Sequence, residues 1–217
     1  LFALCDLEIA TTGLREVWEI ENVAIKPMPA CHFVHACTDA AITLHKMGLD
    51  HQRIESIQVL IPEGVVKSVA EPESAKKRPV SDYDAKFSVH YCVASGLQRG
   101  RLGLKELQPH ALVEPEILAM MDKTTYSIDP DSTFPKHYTG EVIVTTKDSK
   151  VWRHRVAVNR GNPDAPLSNA DIQAKFFENC GIYFSPSHSQ NLFNAVMEID
   201  QKNDCLTLEQ LLTPTSS

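Results

Sequence analysis

The segment from Lys26 to Leu44 (KPMPACHFVHACTDAAITL) constrains the fold more than any other part of the 217-residue chain. Pro27 and Pro29 fix their own φ and bias the residues before them away from the helical region. The chain is therefore expected to be extended up to this point, with a helix that begins near Ala30 or Cys31. An extended arm that leads directly into a helix is the first predicted piece of the fold.

The predicted helix runs to about Met47 and is amphipathic. Its apolar stripe has the spacing of a core-facing face and consists of Phe33, Cys37, Ala40, Leu44 and Met47. His32, His35 and Asp39 fall on a different face, and Gly48 is predicted to stop the helix.

The start of this helix is the predicted functional site. Exposed N–H groups and the positive end of the helix dipole lie beside Lys26, His32 and His35. This combination favours the binding of a carboxylate. Histidine also exchanges protons near neutral pH. The structural alternative is that His32 caps the helix and His35 is a packing histidine. A zinc site with Asp39 is disfavoured, because the spacing matches neither a zinc finger nor His-Glu-x-x-His, so no metal is predicted.

Three stretches of the sequence resemble the MmgE/PrpD family. The first is the Lys-x-x-Pro run that leads into a histidine-bearing helix and ends in Asp-Ala-Ala, here 39–41. The second is DAKFSVHYCVASGL at 84–97, and the third is GNPDAPLSNADIQAKF at 161–176. They occur in the order that the family shows. The family includes 2-methylcitrate dehydratases, cis-aconitate decarboxylases and an epimerase of an aminodicarboxylate.

The resemblance assigns expected roles to five residues. It implies His35 and Tyr91 as catalytic residues, and Lys26, Cys31 and His32 as substrate-binding residues. Tyr91 is expected to face the substrate cleft, the alternative being a core tyrosine with its hydroxyl at the edge. The family's cis-aconitate decarboxylases carry histidine where this chain has Cys31, a departure that favours dehydration over decarboxylation.

The resemblance also implies an organisation for the whole protein. Residues 1–217 are expected to be the C-terminal α+β domain of a two-domain lyase, and a fragment that is inactive alone. The cleft lies between this domain and an N-terminal helical domain of the same protein, and the protein is expected to be a homodimer. The expected reaction is cofactor-independent dehydration of a small di- or tricarboxylate. Decarboxylation, epimerisation and a non-catalytic carboxylate-binding or assembly module remain alternatives.

Composition excludes several classes of function. The formal net charge of −7 argues against a nucleic-acid-binding surface, and Arg153, Arg155 and Arg160 are explained as a solvated strand face. No apolar run reaches the roughly 20 residues of a membrane span. The six cysteines include no Cys-x-x-Cys pair and are interpreted as reduced thiols of a cytoplasmic protein.

The remaining periodicity predicts an α+β domain with a mainly antiparallel sheet of about four strands and helices packed on it. Predicted strands are 53–61, 123–128 and a hairpin within 139–158 with its turn at 147–150, and 14–25 is predicted to be a strand or an extended arm. Predicted helices beyond the first are 81–98, 104–107, 116–121, 169–179, 189–199 and 206–212. The last of these are expected to pack either on the missing helical domain or on the sheet.

Overall fold

The computed structural model describes residues 9–202 and 204–213, and its centre is a four-stranded sheet. The strands are β1 Ile54–Ile61, β2 Thr124–Ile128, β3 Gly140–Thr146 and β4 Val151–Val156. The helices of the described residues are α1 His35–Lys46, α2 Val66–Val69, α3 Glu73–Lys76, α4 Asp82–Lys86, α5 Val89–Arg99, α6 Pro109–Leu112, α7 Pro115–Asp122, α8 Asn169–Cys180, α9 Pro186–Met197 and α10 Leu206–Leu212. This arrangement confirms the predicted α+β class.

The sheet is mixed, which corrects the expectation of a mainly antiparallel one. Its strand order is β2-β1-β3-β4. The β1–β3 and β3–β4 pairs are antiparallel, whereas β2 runs parallel to β1, with Ile57 opposite Thr124. Parallel neighbours need a long crossover connection. Helices α2 to α7 provide it, because they all lie between β1 and β2 in the chain.

The hairpin is confirmed. Strands β3 and β4 flank the predicted turn, which is closed by a hydrogen bond from Thr146 N to Lys150 O. Val142 and Val144 are buried, as are Ile57 and Val59 of β1. Alternation of apolar and polar residues along these strands therefore predicted the core face correctly.

Helix α1 lies on the sheet close to where the sequence placed it. A 3₁₀ turn at His32–Val34 leads into α1, and Gly48 follows the helix with φ of +89°. The helix packs against β3, β4 and α5. A Cβ atom on Gly96 of α5 would lie 2.8 Å from the Cβ of Ala41, so a glycine is needed for this close helix packing.

The helix predicted at 81–98 is divided into two helices, α4 and α5. Ser81 caps α4 by accepting a hydrogen bond from Asp84 N, as the sequence indicated. Ser88, however, adopts an extended conformation and its hydroxyl accepts from Tyr91 N, so a new helix starts there. A serine hydroxyl at such a position accepts a hydrogen bond from a main-chain N–H group, which ends one helix and caps the next. Helix α5 is almost entirely buried, as predicted from its small residues.

The arm before Lys26 is not a strand, which was one of the two forms predicted for it. It contains 3₁₀ turns at Ile9–Thr11 and Glu19–Asn22, and Leu14, Trp18 and Ile20 are exposed. Alternating apolar residues form a strand only where a partner strand is available. The edge strands of the sheet are β2 and β4, and the arm is not a strand of that sheet.

Helices α8, α9 and α10 confirm the three predicted C-terminal helices. Helix α9 begins at Pro186, earlier than predicted, because Ser185 caps it. Phe176, Phe177 and Phe193 join α8 to α9 through ring contacts. Docking of these helices on another domain stays a prediction.

The cysteines that the structure describes are free thiols: Cys31, Cys37, Cys92, Cys180 and Cys205. Cys5 lies outside the described residues. Among those residues, none of the helices has both the length and the apolar character to cross a bilayer.

Candidate active site

The site forms where the end of the arm meets the loop after β4. Ile25 N donates to Gly161 O at 2.9 Å. Gly161 has φ of +89°, and a Cβ atom there would lie 1.9 Å from Ile25 O. Only glycine permits this approach of the two main chains. The contact brings Asn159 and Arg160 onto the start of α1.

Lys26 and His35 meet at one carbonyl oxygen. The ammonium of Lys26 donates to Ala30 O at 3.2 Å, and His35 Nε2 lies 3.3 Å from the same oxygen. A carbonyl only accepts hydrogen bonds, so Nε2 of His35 carries a proton. The structure therefore brings together two of the predicted site residues.

His35 is a neutral, fully buried imidazole. Its pKa is lowered to about 3, first by burial and then by the neighbouring His32, Lys26 and Arg160, against the opposing effect of Ala30 O. Its Nδ1 atom is buried and has no hydrogen-bond partner. His35 thus holds one nitrogen with a free lone pair inside the protein.

His32 lies directly beside His35, with 4.9 Å between the ring centroids. Its Nε2 is 3.0 Å from Asn159 Nδ2, and the ring of Tyr138 packs edge-on at 5.1 Å. Burial lowers the pKa of His32, and the charge of Lys26 lowers it further. We call the group formed by Lys26, Ala30, His32, His35 and Asn159 the histidine cluster.

Asp39 does not join His32 and His35 in a metal site. Its carboxylate is held by Arg160, with Nη2 to Oδ1 at 3.1 Å, and Arg160 also contacts Asp171 at 3.1 Å. Burial raises the pKa of Asp39, while Arg160 opposes that shift. Across 9–202 and 204–213 no three His, Cys, Asp or Glu side chains are arranged to hold a metal ion.

The predicted arginine cluster is divided in the structure. Arg155 contacts Asp129 at 2.9 Å, and both Arg153 and Arg155 contact Glu141 on the sheet. Arg160 instead lies beside α1, within electrostatic reach of His35. Arg160 therefore adds a second cation near the histidine cluster.

Cys31 lies at the edge of the site. Its half-buried side chain packs against the hydrophobic core. Its main-chain N–H donates to Lys86 O at 2.9 Å. Within the described chain, its thiol forms no hydrogen bond with Lys26 or His35, and its role in substrate binding stays a prediction.

Tyr91 lies in the core of the described chain, the alternative that the sequence left open, and a catalytic role for it stays a prediction. The side chain is fully buried and its hydroxyl donates to Glu106 O. Arg99 Nη1 donates to that hydroxyl at 3.3 Å, and Arg99 Nη2 donates to Ala111 O at 3.0 Å and pairs with Glu114 at 2.6 Å. We call Tyr91, Arg99, Glu106, Ala111 and Glu114 the tyrosine network.

Sequence reasoning missed Asn159 and misassigned Arg160. Both follow the end of β4 and precede Gly161 in the loop that reaches the arm. The available signal was an Asn-Arg-Gly step immediately after a strand, since strand ends and the loops beyond them often carry site residues.

Residues 28–201 match the profile of the MmgE/PrpD C-terminal domain. The chain belongs to the MmgE/PrpD family. It is 22% identical over 213 residues to the cis-aconitate decarboxylase-like protein oryM of Aspergillus oryzae, covering 95% of this chain and 44% of that protein. It is 25% identical over 199 residues to human cis-aconitate decarboxylase, covering 88% of this chain and 40% of that protein.

These comparisons support a lyase-type family, because both relatives are named for a decarboxylation. The chain spans about two-fifths of the length of these curated relatives.

Proposed function

We propose that this MmgE/PrpD family chain supplies part of the active site of a cofactor-independent lyase for a small di- or tricarboxylate. The observation that carries the proposal is the histidine cluster, in which an ammonium group and a neutral histidine share the oxygen of Ala30. A fixed cation binds a carboxylate, and a neutral imidazole accepts a proton. The two groups that such a reaction needs are thus adjacent.

The favoured reaction is dehydration of a hydroxy acid such as 2-methylcitrate. The proposed base is His35 Nδ1, which is buried in this chain and has to become accessible to the substrate in the complete cleft. It removes the proton from the carbon beside a carboxylate, and the electron pair of that C–H bond forms the double bond. The C–O bond on the neighbouring carbon breaks, and the leaving hydroxyl takes a proton from an acid proposed to lie on the helical domain and departs as water. Lys26, with Arg160 nearby, stabilises the negative charge that develops on the carboxylate.

Decarboxylation is the second candidate, and the names of the two relatives favour it. In that reaction a C–C bond breaks, carbon dioxide leaves and a carbon atom gains a proton. Cys31 is the residue that favours dehydration instead. Epimerisation would return the proton to the opposite face of the same carbon.

A helical N-terminal domain of the same protein is proposed to close the cleft, and the whole protein is proposed to be a homodimer. The exposure of the cluster supports a shared cleft, because Lys26 is exposed and His32 half-buried, although His35 is fully buried. A substrate bound to Lys26 would be covered only from one side by the residues described above.

The test is product analysis with the 217-residue chain and the full-length product of its gene, each supplied with 2-methylcitrate and with cis-aconitate. We expect turnover only in the full-length protein, and loss of it in Lys26→Gln and His35→Gln. Lys105→Gln and His110→Gln change exposed residues of the same types and serve as matched controls.

Each product identifies a reaction. A dehydrated acid supports dehydration, released carbon dioxide supports decarboxylation, and an inverted centre supports epimerisation. Binding without turnover in the full-length protein would favour the non-catalytic module. Full activity of His35→Gln would contradict the proposed role of the histidine cluster.

A further inference from the structure

Asn159 connects the loop after β4 to His32 through a fully buried amide. Its Oδ1 accepts a hydrogen bond from the main-chain N–H of Tyr138 at 3.0 Å. Its Nδ2 lies 3.0 Å from Nε2 of His32. The side chain thus bridges two segments that are far apart in sequence.

The orientation of this amide is fixed by Tyr138. A main-chain N–H can only donate, so the oxygen of Asn159 has to face it, and the NH₂ group has to face His32. Because that NH₂ group can only donate, Nε2 of His32 has to accept. A neutral imidazole that accepts at Nε2 carries its proton on Nδ1.

We infer that Asn159 is a positioning residue that holds His32 as the Nδ1–H tautomer and so makes it a hydrogen-bond donor to the substrate. Within residues 9–202 and 204–213, the Asn159 contact is the single hydrogen bond of the His32 ring, so Nδ1–H is left for a ligand. The part of the inference that concerns substrate rests on the proposed function. The tautomer itself does not depend on it.

The neighbouring His35 is in the opposite tautomer. Its Nε2 donates to Ala30 O, and its Nδ1 is the bare nitrogen. Two neutral imidazoles 4.9 Å apart therefore have different abilities, since His35 Nδ1 accepts a proton and His32 Nδ1 donates a hydrogen bond. In the proposed dehydration, His35 removes the proton of the C–H bond, and His32 Nδ1–H donates a hydrogen bond to a substrate oxygen.

Burial lowers the pKa of His32, and the charge of Lys26 lowers it further, so the neutral ring is favoured. The ring of Tyr138 packs edge-on against His32, and Arg160 lies within electrostatic reach of the neighbouring His35. Asp39, a nearby carboxylate on α1, is already paired with Arg160. Among the described residues, the hydrogen-bond partner of His32 Nε2 is the Asn159 amide.

The experiment is NMR spectroscopy of the 217-residue chain labelled with ¹⁵N-histidine, with two-bond correlations that report the protonation of each ring nitrogen. For His32 we expect a protonated Nδ1 and a bare Nε2. For His35 we expect the reverse. A His32 ring protonated at Nε2 in the wild type would overturn the inference.

The matched variant is Asn159→Asp, which keeps the shape and the acceptor for Tyr138 N–H but presents an acceptor to His32. We expect His32 to gain a proton at Nε2, whereas Asn162→Asp, in the same loop, leaves the tautomer unchanged. An unchanged His32 spectrum in a folded Asn159→Asp chain would overturn the inference, and the wild-type spectrum decides the matter if this variant does not fold.

Activity measurements distinguish a failure of the inferred His32 tautomer from a failure of the proposed function. In the full-length protein, Asn159→Asp is expected to lower kcat about tenfold or more. The reason is that His32 protonated at Nε2 no longer presents Nδ1–H as a hydrogen-bond donor to the substrate. The predicted tautomer without turnover of either acid would refute the proposed function alone. Turnover with His32 protonated at Nε2 would refute the inference alone.

Discussion

The histidine cluster and the tyrosine network are both polar groups buried around main-chain carbonyls, yet they differ in what they leave unbonded. In the tyrosine network, the Tyr91 hydroxyl donates to Glu106 O, and Arg99 reaches Ala111 O and Glu114. In the histidine cluster, Nδ1 of His35 is buried without a partner. Most buried polar atoms in proteins are hydrogen-bonded. The unbonded nitrogen therefore distinguishes a candidate site from a structural network.

Burial alone does not make a site, as His90 shows. It is fully buried, with neither ring nitrogen hydrogen-bonded, and burial lowers its pKa to about 4. Its ring, however, packs edge-on to Tyr126 at 6.5 Å. Charge nearby does not make a site either, because Lys77 and Glu73 act on the pKa of His90. The histidine cluster differs because a lysine ammonium and His35 contact the same carbonyl oxygen and a second histidine ring lies 4.9 Å away. The comparison teaches that a free polar atom has to be combined with other functional groups in direct contact.

The largest expected effect compares the two groups in catalysis. In the full-length protein, His35→Gln is expected to lower kcat by about 100-fold or more, the range of lost general acid–base catalysis. Tyr91→Phe is expected to leave kcat close to the wild-type value, because its hydroxyl contacts only groups within the fold. Steady-state kinetics measure both variants. A similar loss in Tyr91→Phe would give the phenol a catalytic role after all.

The next effect compares the groups in stability. Arg99→Met leaves Ala111 O and the Glu114 carboxylate without their partner, and it is expected to lower the free energy of unfolding by about 2 to 3 kcal/mol. Urea unfolding of the 217-residue chain measures this change. The control is Arg78→Met, which removes an exposed pair with Asp122 and is expected to cost about 0.5 kcal/mol or less. Equal effects would contradict the assignment of a structural network.

The third prediction concerns pH. Folded His35 has a pKa of about 3, below the 6.5 of the unfolded chain, so between these values the unfolded state binds more protons. The unfolding free energy is therefore expected to fall as pH decreases from 6.5 towards 3.

Measured against His35→Gln, the wild type is expected to lose up to about 1.4 kcal/mol more per pH unit. Tyr91→Phe is expected to keep the wild-type slope, because burial raises the pKa of Tyr91 and it does not titrate in this range. Parallel slopes for wild type and His35→Gln would show that His35 is already protonated in the folded state.

The smallest expected effect is that of Lys26 on stability. Lys26→Met removes one hydrogen bond to Ala30 O from an exposed side chain, so the free energy of unfolding is expected to change by about 0.5 kcal/mol or less. Urea unfolding of this variant beside Arg99→Met checks the contrast. A loss as large as that of Arg99→Met would make Lys26 a structural residue.

Local patterns predicted the local structure well. The end of α1 before Gly48, the Ser81 cap and the hairpin followed from glycine, serine and alternation, because those signals act over a few residues. The α-helix itself starts at His35, later than the prolines predicted, because a 3₁₀ turn comes first. Lys26 and His35 were predicted together for the same reason. The parallel position of β2 was missed, since the pairing of distant strands depends on how the crossover helices pack.

The rest of the site depends on contacts across the whole chain. Asn159 reaches His32 over 127 positions, and Arg160 reaches Asp39 over 121. No spacing rule connects such residues. The expectation that Tyr91 faces a cleft came from the family resemblance, since helix periodicity gives the residues that share a face but not whether that face meets solvent or another helix.

The oxygen shared by Lys26 and His35 belongs to the peptide backbone, so no exchange of one genetically encoded residue for another can delete it. Saturation mutagenesis at position 30 would test only the space around the methyl group of Ala30. It would leave the main-chain oxygen that accepts both hydrogen bonds in place. Semisynthesis with an ester in place of the amide between residues 30 and 31 would reach it, by weakening that carbonyl. Homologous chains can therefore vary the side chain at this position and keep the same meeting point for their lysine and histidine.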